Sequence, residues 1–165
     1  MKQVINIIIK NKRLEILRKK YNSPFKNLPA HITLVYPFEV SDQDMLIKHI
    51  EHCLLGINPF EITLQKVRKS SNYLVLDVVR NKAILLNLHK KLNSGMLSGF
   101  ENKELSIYLP HITLGFFKEI PELMQAINDL RQQNLNYRID VNKISLLTLN
   151  DDDSVKSRKD FKLKE

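Results

Sequence analysis

The sequence contains a single cysteine and no long apolar run, and these two absences narrow the class of protein. With Cys53 alone, the 165-residue chain can form neither an internal disulfide nor a multi-cysteine zinc site. One cysteine is typical of a reducing compartment. No stretch approaches the roughly 20 apolar residues that span a bilayer, and the apolar run 4–9 is too short for a signal sequence. We therefore expect a cytoplasmic protein without a membrane partner.

Acidic residues are outnumbered by basic ones. The chain has 26 Lys and Arg against 18 Asp and Glu, a formal net charge of +8 and a pI of about 9.5. This balance favours anionic partners such as nucleic acid or nucleotides. A solvated lysine-rich surface explains the same charge equally well. The 43% of hydrophobic residues suffices for a buried core, and the length fits one domain or two tightly fused halves.

The spacing of apolar residues predicts an α+β chain. Strands are predicted at 4–9, 32–38, 60–65, 73–79, within 105–117, at 137–141 continued by 144–149, and at 155–163. Helices are predicted at 12–21, 41–55, 84–92 and 121–130. The element order is β-α-β-α-β-β-α-β-α-β with a C-terminal hairpin. The order of strands within a sheet does not follow from this pattern.

Three local features of the pattern carry specific predictions. Ser41 is expected to cap the second helix, and Arg18 to lie on the exposed surface of the first. Residues 68–72 are expected to form the tip of a hairpin, which Arg68 and Lys69 would make basic. We entertain the hypothesis that this tip follows an RNA strand.

One tetrapeptide, His-Ile-Thr-Leu, occurs twice. The copies begin at His31 and His111, each follows a proline within two residues, and each has an aromatic residue five positions after the histidine. Because alternate residues of a strand share a face, the histidine and threonine of each copy lie together while the isoleucine enters the core. If two halves pack about a pseudo-twofold axis, the two His-Thr pairs face each other across one cleft.

Two imidazoles in one cleft can act as a general acid and a general base. Their ordinary pKa near 6.5 lets one take a proton from an attacking water while the other protonates a leaving oxygen. Threonine hydroxyls can hold the non-bridging oxygens of a phosphate. No metal is required, and the nearby sequence lacks a carboxylate cluster to hold one. A single copy would favour an ordinary surface or capping histidine; two copies in matched context favour the paired site.

At these residues the sequence resembles the 2H phosphoesterase superfamily, specifically the bacterial 2'-5' RNA ligase or RNA 2',3'-cyclic phosphodiesterase-like family. Its two His-hydrophobic-Thr-hydrophobic motifs match residues 31–34 and 111–114, and the resemblance covers essentially the whole chain. It implies a single domain, 1–165, with a bilobed pseudo-twofold α+β fold. Two interleaved lobes, each an antiparallel sheet with helices outside, would each contribute one motif to a central cleft.

The resemblance also implies a chemistry. His31 and His111 would be the catalytic residues, and Thr33 and Thr113 would bind phosphate. The reaction would be hydrolysis of a 2',3'-cyclic phosphate on RNA or a nucleotide. Separately from the resemblance, we expect a monomer that uses no metal and no cofactor. Some members of the family instead join RNA ends reversibly through a 2'-5' linkage. A catalytically idle RNA- or nucleotide-binding module is a third alternative.

The chain departs from the family pattern at one position. In the tRNA-associated branch the fifth residue after the second histidine is commonly Arg, whereas here it is Phe116, with Tyr36 at the matching place in the first motif. These aromatic rings can stack on a base or ribose, or they can belong to the core. The three other histidines are expected to be solvated on helices: His49, His52 and His89. The acidic run is expected to form a turn: Asp151, Asp152 and Asp153.

Overall fold

The computed structural model describes residues 1–100 and 107–164. The strands are β1 (Gln3–Ile8), β2 (His31–Phe38), β3 (Phe60–Ser70), β4 (Tyr73–Arg80), β5 (His111–Phe116), β6 (Tyr137–Val141), β7 (Lys143–Leu149) and β8 (Val155–Lys162). The helices are α1 (Lys12–Lys20), α2 (Gln43–Cys53), α3 (Lys82–Leu92) and α4 (Ile120–Arg131), and a short 3₁₀ helix spans Gly95–Phe100. The observed element order agrees with the predicted one, except that residues 137–149 form two strands and not one. Within the two described ranges, no helix is long and apolar enough to cross a membrane.

The strands form two antiparallel sheets of four strands each. The first sheet has the order β2-β1-β7-β8 and the second the order β5-β4-β3-β6. The two motif strands, β2 and β5, each lie at a sheet edge, and these edges contact each other. Helix α1 packs on β5, α3 on β2, and α4 on β3 and β4. The expected fold class, two antiparallel sheets flanking a cleft with helices outside, is confirmed.

The chain changes sheet between β6 and β7. The sequence predicts these strands as one continued stretch, yet β6 pairs with β3 in the second sheet and β7 pairs with β1 in the first. Asn142 separates them, and its carbonyl accepts a hydrogen bond of 2.8 Å from the amide of Leu163. Both strands are rich in apolar residues, so hydrophobic spacing alone carries no sign of the crossing.

Two local predictions are wrong. Asp42, not Ser41, caps α2, since its side chain accepts a 2.9 Å hydrogen bond from the amide of Met45. Strand β3 continues to Ser70, so the hairpin turn consists only of residues 71–72, and Ser71 adopts a left-handed φ of 52°. Arg68 and Lys69 are therefore strand residues on opposite faces of the second sheet, not a basic tip.

Helix α1 reaches β5 so closely that only glycine fits at residue 115. A Cβ placed there would lie 2.8 Å from the Cβ of Tyr21 and nearer still to its carbonyl oxygen. Tyr21 follows the last turn of α1 and is itself buried. The glycine that distinguishes the second motif from the first is thus explained by helix packing.

Candidate active site

A cavity of about 850 Å³ lies between the two sheets. Both motifs contribute to its wall, through His31 and Thr33 from the first sheet and His111 and Thr113 from the second. The structure therefore brings together the four residues that the sequence singled out. The remaining lining residues are Lys2, Val4, Asn6, Phe25, Leu28, Tyr36, Pro37, Arg68, Ser70, Tyr73, Val75, Ile107, Tyr108, Leu109, Leu149 and Asp153.

The two motifs have the same local structure. In each, the histidine and threonine are half-buried, and the three other residues of the first five are buried. Ile32 and Ile112 are fully buried, as the strand alternation predicted. The register against the neighbouring strand shifts just after each threonine. This shift buries two successive residues and returns the fifth position after the histidine to the face of the sheet that carries the histidine and threonine.

The two aromatic residues at that fifth position have different surroundings. Tyr36 lines the cavity. Phe116 pairs with Tyr73 across the β4–β5 ladder and its ring meets Tyr73 edge-on, with centroids 5.2 Å apart. Phe116 is 43% exposed and lies outside the cavity lining. It can therefore reach a ligand only by way of Tyr73 or at the outer end of β5.

Each motif histidine is oriented by a backbone carbonyl two residues upstream. His31 Nδ1 lies 2.8 Å from the carbonyl oxygen of Pro29, and His111 Nδ1 lies 2.6 Å from that of Leu109. A carbonyl only accepts, so Nδ1 carries the proton in both neutral rings. Nε2 is then the nitrogen that can gain or give up a proton.

Burial lowers the pKa of both histidines. The pKa of His31 falls to about 4, and burial is the main cause. The nearby charges of Arg18 and His111 lower this pKa further, whereas the hydrogen bond to the Pro29 carbonyl and the charge of Glu15 raise it. Burial also lowers the pKa of His111, with Arg68 acting in the same direction. The charge of His111 is one of the causes that lower the pKa of His31, as expected for two rings that line one cavity. At neutral pH both rings are therefore uncharged.

The cross-strand partners of the two histidines differ. Ile8 lies opposite His31, whereas Asp77 lies opposite His111, where it opposes the fall in the pKa of that ring. Asp77 also accepts a 2.6 Å hydrogen bond from Nε of Arg68, and both side chains of this ion pair are largely buried. The site is thus pseudo-symmetric in its histidines and threonines but not in the cross-strand partners of its histidines.

The loop before His31 is held by a buried arginine. The sequence predicts an exposed Arg18, yet only 5% of its side chain is accessible. It donates to Glu15 and to the carbonyls of Phe25 and Leu28, and Glu15 in turn accepts from the amide of Ala30. This basic residue of α1 therefore fixes the segment that carries the Pro29 carbonyl.

Tyr108 joins the two motif strands. Its hydroxyl donates a 2.8 Å hydrogen bond to the carbonyl of Thr33, and its ring stacks on His89 with centroids 3.8 Å apart. His89 also bonds the carbonyl of Leu34 at 2.8 Å, and His49 bonds that of Leu92 at 3.0 Å. Both are half-buried, so of the three helix histidines predicted to be solvated, only His52 is exposed.

The sequence offers little sign of several cavity residues. Tyr108 and Asn6 belong to no repeat, and their places depend on contacts between segments that are distant in sequence. The sequence indicates Arg68 only as part of a basic hairpin tip, whereas in the structure it lines the cavity from strand β3. The acidic residues 151–153 lie in the turn between β7 and β8, as predicted. In the ranges that the structure describes, no three His, Cys, Asp or Glu side chains form a group that could hold a metal ion.

Comparisons with known proteins identify the family of this chain. The model of the 2'-5' RNA ligase superfamily matches residues 9–153. "Putative phosphoesterase GK0864" of Geobacillus kaustophilus is 31% identical over 137 residues, covering 79% of this chain and 76% of that protein. "Putative phosphoesterase BH1439" of Halalkalibacterium halodurans is 28% identical over 151 residues, covering 88% and 86%.

Solved structures share the fold at low sequence identity. Protein TT0787 of Thermus thermophilus has a TM-score of 0.63 at 16% identity, with 99% of this chain and 98% of that one covered. LigT of E. coli complexed with 3'-AMP has a TM-score of 0.57 at 16% identity, covering 99% and 95%. Usb1 of Kluyveromyces marxianus with uridine monophosphate has a TM-score of 0.54 at 10% identity, covering 98% of each chain.

The chain belongs to the 2'-5' RNA ligase superfamily, the 2H phosphoesterases. Its curated relatives are named as phosphoesterases, so the family is one of phosphoesterase-type enzymes.

Proposed function

We propose that this protein is a metal-independent phosphodiesterase that hydrolyses 2',3'-cyclic phosphate ends of RNA or nucleotides, with His31 and His111 as its acid–base pair. One observation carries the proposal: both imidazoles line one cavity, and each has Nδ1 bonded to a carbonyl two residues upstream. The two Nε2 atoms are thereby available for two proton transfers, as displacement at a phosphate requires.

The mechanism divides the work between the rings. One neutral imidazole takes a proton from water through Nε2 while the water oxygen attacks phosphorus. The other, protonated, gives its proton to the 2' or 3' oxygen as the ring P–O bond breaks. The hydroxyls of Thr33 and Thr113 donate to the non-bridging oxygens. A bound phosphate anion raises the pKa of both rings, so binding itself favours protonation of one of them.

The ligands of the structural neighbours support a phosphate or nucleotide in this cavity. LigT of E. coli was solved with 3'-AMP and with phosphate, and Usb1 of Kluyveromyces marxianus with uridine monophosphate. A 2'-5' ligase would use the same residues with a 5'-hydroxyl in place of water: its oxygen would attack phosphorus, the P–O3' bond would break, and the 3'-oxygen would take the proton. The family description keeps that alternative open. Incubation with RNA ending in a 5'-hydroxyl and a cyclic phosphate, followed by a search for 2'-5' linkages in the products, separates the two activities.

The decisive experiment is hydrolysis of 2',3'-cyclic nucleotides and of RNA ending in a cyclic phosphate, in the presence of EDTA. Wild type should turn over, and His31→Ala and His111→Ala should each lose about 10²–10⁴-fold in rate, as expected for loss of an acid or base. His52→Ala, which removes an exposed histidine on α2, is the matched control and should keep the wild-type rate.

Two outcomes would contradict the proposal. Activity that EDTA abolishes would mean that a metal performs the step assigned to a histidine. Absence of turnover in wild type, together with nucleotide binding that the histidine variants retain, would support the binding-module alternative.

A further inference from the structure

We propose that Arg68, Ser70 and Tyr73 form a subsite for the nucleotide next to the terminal cyclic phosphate, so that the preferred substrate is an oligonucleotide rather than a mononucleotide. This inference rests on the proposed function, because it assigns the reacting phosphate to the histidine pair. The three residues, termed here the hairpin subsite, line the cavity from the β3–β4 hairpin.

Arg68 stands apart from the reacting centre yet faces it. Thr113 pairs with Val75 and Val75 pairs with Arg68, so the three lie in one row across β5, β4 and β3. Two strand spacings of about 4.8 Å separate the backbones of Thr113 and Arg68. The ion pair with Asp77 draws the guanidinium of Arg68 over β4. The guanidinium is then about one strand spacing from β5, the strand that carries His111 and Thr113. A second phosphate, beside the reacting one, fits that separation.

Arg68 carries a permanent positive charge that can attract a phosphate, whereas the motif histidines do not. Both motif histidines are neutral at pH 7 before an anion binds. Among the described lining residues, only Lys2 and Arg68 carry a permanent positive charge. Lys2 lies outside the β3–β4 hairpin and forms an ion pair with Asp153. Arg68 uses Nε to bond Asp77, and its Nη1 donates to the carbonyl of Lys69 at 3.4 Å. Its Nη2 group makes no hydrogen bond within the described residues and can donate to a phosphodiester.

Tyr73 presents an aromatic ring, fixed in position, to the same cavity as Arg68. It is half-buried in the cavity wall, with the edge-on ring of Phe116 behind it. The end of the hairpin is tied to the segment after β5, because the Asn72 side chain donates to the carbonyl of Phe117 at 2.8 Å and the Asn72 carbonyl accepts from the Phe117 amide at 2.9 Å. A ring fixed in this way stacks a base at low entropic cost and without regard to its identity.

The test compares adenosine 2',3'-cyclic phosphate with the dinucleotide ApA that ends in a 2',3'-cyclic phosphate. Wild type should show the higher kcat/KM on the dinucleotide. Arg68→Gln should lower the dinucleotide-to-mononucleotide ratio of kcat/KM by about tenfold, as removal of a charged phosphate donor predicts. Tyr73→Ala should lower the same ratio, and Tyr73→Phe, which keeps the ring, should restore it.

Lys69→Gln is the matched control. It removes the same charge one residue along β3, from an exposed side chain on the opposite face that does not line the cavity. Its ratio should equal that of wild type. A ratio that falls equally in Arg68→Gln and Lys69→Gln would show that overall charge, not a subsite, attracts the longer substrate.

A binding measurement keeps this inference separable from the proposed function. The Kd of ApA with a 3'-phosphate, relative to that of 3'-AMP, requires no turnover. Arg68→Gln should reduce the preference for the dinucleotide and lower the salt slope of its binding by roughly 0.7 for each phosphate that the protein no longer neutralises. No turnover combined with this response would remove the proposed function and keep the subsite. An equal weakening of both ligands, or no weakening of either, would overturn the subsite.

Discussion

At the scale of residues, the site depends on backbone carbonyls as much as on side chains. Each motif histidine bonds the carbonyl two positions upstream, whether proline occupies that position, as Pro29 does, or the next one, as Pro110 does. Proline removes an amide donor and restricts the backbone just where the chain enters the strand. The recurring proline is visible in the sequence, but the hydrogen bond that it accompanies is not.

The pH dependence of stability should report on His31. The unfolded chain takes up this proton near pH 6.5, whereas in the folded protein the pKa of His31 is lowered to about 4. Between these values the unfolded state binds more protons, so the free energy of unfolding should fall as the pH drops from 6.5 towards 4. Urea unfolding of wild type and His31→Asn across this range checks the prediction. The variant should lose much of the slope, and an unchanged slope would contradict the assignment.

At the scale of elements, the sequence predicts the kinds of structure better than their ends. The helices and strands arise where apolar spacing places them, because each buries one face. The N-cap of α2 is Asp42 and not its neighbour Ser41. The sequence could not distinguish the two, because either side chain can accept the capping hydrogen bond. The β3–β4 turn is only two residues long because pairing continues through polar strand positions, which hydrophobic alternation cannot detect.

The contact between α1 and β5 makes a prediction about glycine. Gly115→Ala should destabilise the protein by about 1–3 kcal/mol, since the new methyl group would collide with the carbonyl oxygen and the Cβ of Tyr21. Gly99→Ala is the control, because no atom of the described residues lies within 4 Å of a Cβ added there. Thermal or urea unfolding of both variants checks this. Equal stability of the two would mean that α1 moves aside at little cost.

At the scale of the whole molecule, the repeated motif predicts the cleft, whereas the other cavity residues are brought there by contacts between segments distant in sequence. Two copies of one motif suffice to identify His31, Thr33, His111 and Thr113, because strand geometry dictates which side chains share a face. Arg68 and Tyr108 could not be found in this way. Their positions follow from contacts between segments far apart in sequence, and no local pattern encodes those.

The hydrogen bond between Tyr108 and Thr33 should stabilise the union of the two sheets. Tyr108→Phe removes it and should cost about 1 kcal/mol, a fall in Tm of roughly 2–4 °C for a chain of this size. Tyr21→Phe is a suitable control, because the Tyr21 hydroxyl is buried without a partner among the described residues. Its removal should leave Tm unchanged or slightly raised. A Tyr108→Phe Tm equal to wild type would contradict a stabilising role for this bond.

The first sheet is built from both ends of the described chain. Strand β1 stands between β2, which follows it closely, and β7, which begins at Lys143. During synthesis on a ribosome the second sheet can pair fully once β6 has emerged, whereas the wall that carries His31 waits for the last two strands. The cavity is therefore among the final features to form, and a prematurely terminated chain would present a finished His111 lobe beside an incomplete one that exposes β1 as an unpaired edge.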